Sequence, residues 1–158
     1  MQTFAVAATF AAVASASASD FPKFDSLHSH CEMYVTYPKT TCSVTYNLLD
    51  YEIRSWASGD VGGGLYAVKE EAEFSYIWST RTTPVHKYVD DQIFELTQVG
   101  ADCQVHARSR SQTNSYYDYD TNYCNMWNPL HEIASFTNLS TKNCQFKPDD
   151  AAATCAIY

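Results

Sequence analysis

"CQVHARSRS", residues 103–111, decides the fold. Its side chains alternate in character. Cys103, Val105 and Ala107 fall on one side; Gln104, His106, Arg108 and Arg110 fall on the other. Successive strand residues point to opposite faces, so this pattern marks an antiparallel sheet with a single covered side.

Neighbouring segments extend that sheet. "VDDQIFELT" (89–97) reads as the preceding strand, joined through a turn at "VGAD" (99–102). Farther upstream, "LYAVKEEAEFSYIWSTRTTP" predicts a hairpin of residues 65–69 and 73–82, turning at 70–72. Phe74, Tyr76 and Trp78 alternate there on the face expected to meet the core. "HCEMYVTYP" (30–38) is a further strand, ended by proline.

Two helices complete the pattern. Residues 40–57 carry Val44, Leu48, Leu49, Ile53 and Trp56 at helical spacing, after a Thr40 or Thr41 cap. The glycine-rich "SGDVGGG" stops that helix. Residues 125–136 predict the second helix, with Asn128 as cap and Pro129 in the first turn. The tail reads as a loop pinned by cysteines. The expected class is α+β: a curled antiparallel sheet of four to five strands with two helices packed on one face.

The ends place this domain outside the cytosol. Residues 1–18 read as a secretory signal peptide, with an apolar run at 4–13 and A-x-A cleavage patterns at 14–16 and 16–18. Residues 19–158 then form a single secreted domain. Six cysteines follow: Cys31, Cys42, Cys103, Cys124, Cys144 and Cys155. An even count in an exported chain implies a disulfide framework, whose pairing the sequence leaves open. Pairing along the chain, Cys31–Cys42, Cys103–Cys124 and Cys144–Cys155, is the expectation, each closing a short loop worth about 3 kcal/mol. Asn138 opens an N-x-S glycosylation sequon. The net charge of −8 argues against a nucleic-acid partner and against anionic membrane surfaces. No later stretch has the length of apolar chain that a membrane span needs.

The polar clusters point to few chemistries. Asp118, Asp120 and Asn122 open like a calcium loop, but Tyr123 stands at the glycine position and Pro129 at the bidentate glutamate position. A turn with side chains bonded to local amides is the reading preferred there. His28, His30 and Cys31 resemble a zinc cluster, yet Cys31 is needed for the disulfides. No metal and no cofactor is therefore expected. No nucleophile motif occurs, and His86, His106 and His131 are isolated candidate bases. Asp90 and Asp91 must point to opposite faces of their strand, so they cannot act as a glycosidase pair. The one facing inward needs a partner. Arg108 and Arg110 on the neighbouring strand are the expected partners, tying the sheet to Asp118 and Asn122 as an architectural network or as the floor of a ligand site.

Three stretches carry a family resemblance. Tyr88, Val89, Asp90, Asp91 and Phe94 form the first; Arg108, Ser109 and Ser111 the second; Asp118 and Asn122 the third. Together, across residues 42–130, they resemble the domain-of-unknown-function family 1499. Gln112, Asp120 and the run Tyr123-Cys124-Asn125 depart from its pattern, and one extra residue precedes Asp118. That family has no assigned activity, so the resemblance implies only that the three elements share a spatial cluster.

The expected function is non-catalytic: a binding module for a small apolar ligand, with a pocket lined by Phe74, Tyr76, Trp78 and Trp127. The alternatives are a structural or cell-surface protein-interaction domain, and a secreted hydrolase using His106 or His86.

Overall fold

The computed structural model describes residues 17–58 and 64–158. The expected signal peptide lies outside these residues except for its last two positions, as does most of the glycine-rich turn.

The sheet has six antiparallel strands in the order β2-β3-β4-β5-β1-β6. These are β1 (His30–Tyr37), β2 (Leu65–Ala72), β3 (Tyr76–Thr82), β4 (Val89–Val99), β5 (Asp102–Ser111) and β6 (Thr137–Lys142). Three α-helices accompany them among the described residues: α1 (Cys42–Ser55), α2 (Thr121–Ile133) and α3 (Ala151–Cys155). The class is the expected one, with one strand and one helix more than the patterns predict. β6, "TNLSTK", is almost wholly exposed and so lacks an apolar face to read.

β4 and β5 form the central hairpin, in register from Asp90↔Ser111 to Val99↔Asp102. Gly100 supplies the positive φ of 59° that the tight connection demands. On the helix side, Met33, Val35, Ile77, Phe94, Leu96, Val105 and Ala107 pack against Leu49, Ile53, Trp56, Met126 and Leu130. The opposite face is covered too. Phe21 joins Tyr76, Trp78 and Ile93 in a second apolar cluster, its ring edge-on to Trp78 at 5.5 Å. Phe24 stacks on His30 at 4.2 Å. The expected single covered side is thus corrected: the segment ahead of β1 crosses the second face, and Asp90 through Phe94 are buried from both directions. An irregular, proline-containing segment has no period that would announce this.

Other elements shift in place. Thr41 caps α1, its Oγ1 accepting from the Val44 amide at 3.4 Å. The buried stripe of α1 runs through Thr45, Tyr46, Leu49 and Ile53, whereas Val44 and Leu48 are exposed. The β2–β3 turn falls at residues 73–75, with Phe74 in a left-handed conformation. α2 begins at Thr121 after a left-handed Asp120, so Pro129 lies inside the helix. Its first turn escaped the sequence reading because the buried positions there include Asn122 and Asn125, polar residues engaged in hydrogen bonds.

The disulfides are Cys31–Cys144, Cys42–Cys103 and Cys124–Cys155. They correct the expected pairing along the chain. Sheet order is the reason: β1 lies between β5 and β6, which brings Cys31 beside the end of β6. Sequence separations of 113, 61 and 31 restrict the unfolded chain more than short loops would. Among the described residues no helix is long and apolar enough to cross a membrane. Asn138 is exposed on the edge strand β6.

Candidate functional site

Strand alternation sends the neighbouring aspartates of β4 to opposite faces. Asp91 enters the second face, where it accepts from Trp78 Nε1 (2.8 Å), Lys69 Nζ (3.3 Å) and Gln112 Nε2 (3.0 Å). Asp90 enters the helix side, where Asn125 Nδ2 donates to it at 2.9 Å.

Arg108 and Arg110 share the face of Asp91 but bind other acids. Arg108 donates to Glu95 at 3.0 Å and covers the Phe21 ring; Arg110 donates to Asp25 at 2.8 Å. The expected pairing of these arginines with Asp90, Asp91 or Asp118 is therefore corrected. β5 turns both guanidinium groups toward the segment ahead of β1, away from Asp90 and Asp118.

The guanidinium on the helix side is that of Arg81, in β3, only 1% exposed. It lies in register with Asp90 and donates to Asn125 Oδ1 at 3.1 Å. The sequence held one signal for it: Arg81 shares the phase of Ile77 and Ser79. From Asn125 a buried polar seam continues along α2. Asn125 also donates to Ser109 Oγ, and Ser109 donates to Asn122 Oδ1 at 2.8 Å. Asn122 Nδ2 contacts Asp118 Oδ2 (2.8 Å), Ser111 Oγ (3.2 Å) and the Ser29 carbonyl (3.2 Å). The Asn122 amide also donates to Asp118 Oδ2 at 3.1 Å, so this carboxylate bonds a local backbone amide four residues on. Asp118 Oδ1 is buried without a hydrogen-bond partner.

Burial holds the carboxyls of both Asp90 and Asp118 above the ordinary carboxylate range, against the opposing pull of their asparagine donors. Of the residues carrying the family resemblance, Asp90, Ser109, Ser111, Asp118 and Asn122 meet on this seam. Asp91 and Arg108 face the other way.

The seam floors a cavity of about 650 Å³, within the usual span of ligand pockets. Arg81, Asp90, Ser111 and Asp118 form its base. Two loops raise its walls, residues 83–88 and 112–120, and Ile157 and Tyr158 close the third side. Tyr158 donates its hydroxyl to the Tyr119 carbonyl, and its ring sits 5.7 Å from the Arg81 guanidinium. Around the mouth stand Val85, Tyr88, Tyr117, Tyr119 and Ile157, each between 54% and 78% exposed. Both loops carry non-glycine residues with left-handed φ: Lys87 (57°), Tyr119 (52°) and Asp120 (69°). Such conformations cost of order 1 kcal/mol each and cluster at functional loops.

The aromatic residues expected to share a pocket are dispersed. Phe74 sits at the β2–β3 turn against Tyr46. Tyr76 and Trp78 belong to the second face. Trp127 is in the main core, stacked on His131 at 4.2 Å. The cavity rim was missed because its residues lie in irregular loops and at the C-terminal tail, where no period aligns them.

The histidines separate likewise. His28 Nδ1 lies 2.8 Å from Asp25, and Cys31 is in its disulfide. Among the described residues, no group of three or more His, Cys, Asp or Glu side chains is arranged to hold a metal. His106 is held between Glu32 (3.3 Å) and Glu95 (3.4 Å) and stacks on Tyr34 at 4.4 Å. His86 is on the cavity wall, stacked with Tyr88 at 5.4 Å.

No protein-family model matches the chain, and no curated protein matches it.

Proposed function

We propose that this protein is an exported, disulfide-braced binding module that takes a small ligand in the cavity at the ends of β3, β4 and β5. One observation carries the reading: five exposed apolar or aromatic side chains surround a single mouth whose base is a buried polar seam. Exposed apolar groups gathered at a concavity mark binding surfaces, whereas scattered ones need no explanation. Three disulfides fit an oxidising compartment. The ligand suited to this cavity is small and amphipathic, with one apolar face and one hydrogen-bonding edge.

The test is native mass spectrometry of the full chain after incubation with a metabolite extract. A bound mass is expected on the wild type and not on Thr113→Trp, which fills the cavity from its wall. A wild type that never acquires a ligand overturns the proposal.

A second observation favours an interaction role for the same end of the molecule. Tyr116, Tyr117 and Phe146 form a surface cluster with centroid distances of 5.1 to 6.4 Å. A photo-crosslinker at Tyr116 that captures one recurrent protein neighbour in native material would support that role; labelling no more selective than at Lys147 would remove it.

A further inference from the structure

The cavity floor holds both signs of charge, Arg81 against Asp90 and Asp118. A phosphate or carboxylate ligand would meet two buried carboxyls; an ammonium would meet a guanidinium. Neither ion is favoured, and a neutral ligand avoids both conflicts.

The walls are rich in groups that donate and accept together. Thr113 and Asn114 line the cavity where they are exposed to water, and among the described residues neither side chain has a hydrogen-bond partner. A hydroxyl offers one donor and two acceptor sites, and a carboxamide offers both at its two ends. An apolar ligand would strip water from them and return nothing. Asp118 Oδ1 adds an unmet acceptor at the base.

On the same cavity, Tyr88, Tyr117 and Tyr119 are 54%, 64% and 78% exposed; His86 stacks on Tyr88 and Phe146 packs against Tyr117, while Tyr119 is the most open of the three. Tyr117 and Tyr119 are 6.4 Å apart and tilted by 34°, so they form a shallow angled platform. The negative face of an aromatic ring attracts weakly positive C–H hydrogens. One class of neutral molecule carries a C–H-lined face and a hydroxyl-lined edge on the same ring.

We infer that the cavity takes a neutral saccharide unit, its C–H face on the Tyr117–Tyr119 platform and its hydroxyls on Thr113 and Asn114. This rests on the ligand-pocket reading above. The sugar is either a free oligosaccharide or the terminal unit of a glycan on a protein or lipid.

The experiment screens the full chain against immobilised neutral, sialylated and sulfated glycans, with free neutral oligosaccharides as competitors. Retention on neutral glycans is expected. Tyr117→Ala and Tyr119→Ala should each weaken binding about tenfold, while Tyr117→Phe, which keeps the ring, stays within about twofold. Both tyrosines are exposed, so unfolding temperatures should be unchanged. Competition by free sugar points to the free oligosaccharide as ligand; binding of conjugated glycans alone points to a displayed one. Either result supports the inference. Retention only on anionic glycans overturns it. So does failure of every glycan while the mass-spectrometric test finds another small molecule, and in that case the pocket reading stands. Failure of both experiments overturns both.

Discussion

Asn125 bridges the Arg81 guanidinium and the Asp90 carboxyl, accepting from one at 3.1 Å and donating to the other at 2.9 Å. A single carboxamide on α2 thereby links two adjacent strands beneath the cavity. Its removal leaves buried charged groups short of partners, which costs far more than the bonds themselves contribute. Asn125→Leu is expected to lower unfolding free energy by about 3 kcal/mol, read from the urea midpoint. A loss of less than about 1 kcal/mol would show that the seam is not a structural tie.

Asp118 gives a pH signature of the opposite sign to most acids. Its carboxyl is held above 3.8 by burial, so the folded state binds that proton more tightly than the unfolded state. The ionised form therefore destabilises the fold. This penalty is absent below the unfolded value, and it is complete once pH exceeds the raised folded value. Asp118→Asn should stabilise the protein at pH 7 by roughly 1 kcal/mol, with the gain fading as pH falls toward 4. Thermal unfolding across that range checks it; a gain that does not depend on pH contradicts it.

Glu95 behaves in the usual direction. His106, and then Arg108, hold its carboxyl below the ordinary value of 4.5, opposing its partial burial. Its stabilising contribution is present above 4.5 and is lost as pH falls through the lowered folded value. His106→Phe keeps a ring on Tyr34 but removes the partner. Carboxyl-carbon NMR should then show the Glu95 titration moving upward. An unmoved titration would place His106 outside the interaction.

Phe21 anchors the segment that covers the second face, 3% exposed and edge-on to Trp78. Phe21→Ala should cost about 3 kcal/mol, within the range for a buried phenylalanine. Removal of that ring should also shift tryptophan fluorescence to the red as Trp78 meets water. An unshifted spectrum with full stability would mean the segment is not seated there.

The legibility of the sequence followed physical regularity. β5 was readable because Cys103, Val105 and Ala107 alternate with polar residues, and α1 because its buried positions recur at helical spacing. The separate directions of Asp90 and Asp91 were also readable, since they follow from strand geometry alone. The site itself was less so. Arg108 and Arg110 are the arginines that the sequence puts on the strand beside Asp90 and Asp91, but a segment without periodicity, carrying Asp25, binds Arg110. Arg81 had equal claim by phase, yet one charged residue in an aromatic-rich strand gives no sign of its burial. The first turn of α2 was hidden because Asn122 and Asn125 satisfy each other's neighbours in the interior, which polarity at the sequence level cannot express. Cavity residues from the 83–88 loop, the 112–120 loop and the tail meet only through tertiary folding.

Both margins of the sheet share one trait. The β2–β3 pairing slips between Val68 and Glu70, and the β1–β6 pairing slips between Tyr34 and Thr36. The outer strands also expose Lys69, Glu71 and Lys142. Bulged, charged borders make poor templates for an incoming strand. Growth of the sheet by lateral addition, whether into ribbons of identical copies or onto a foreign extended peptide, is thus disfavoured at either side.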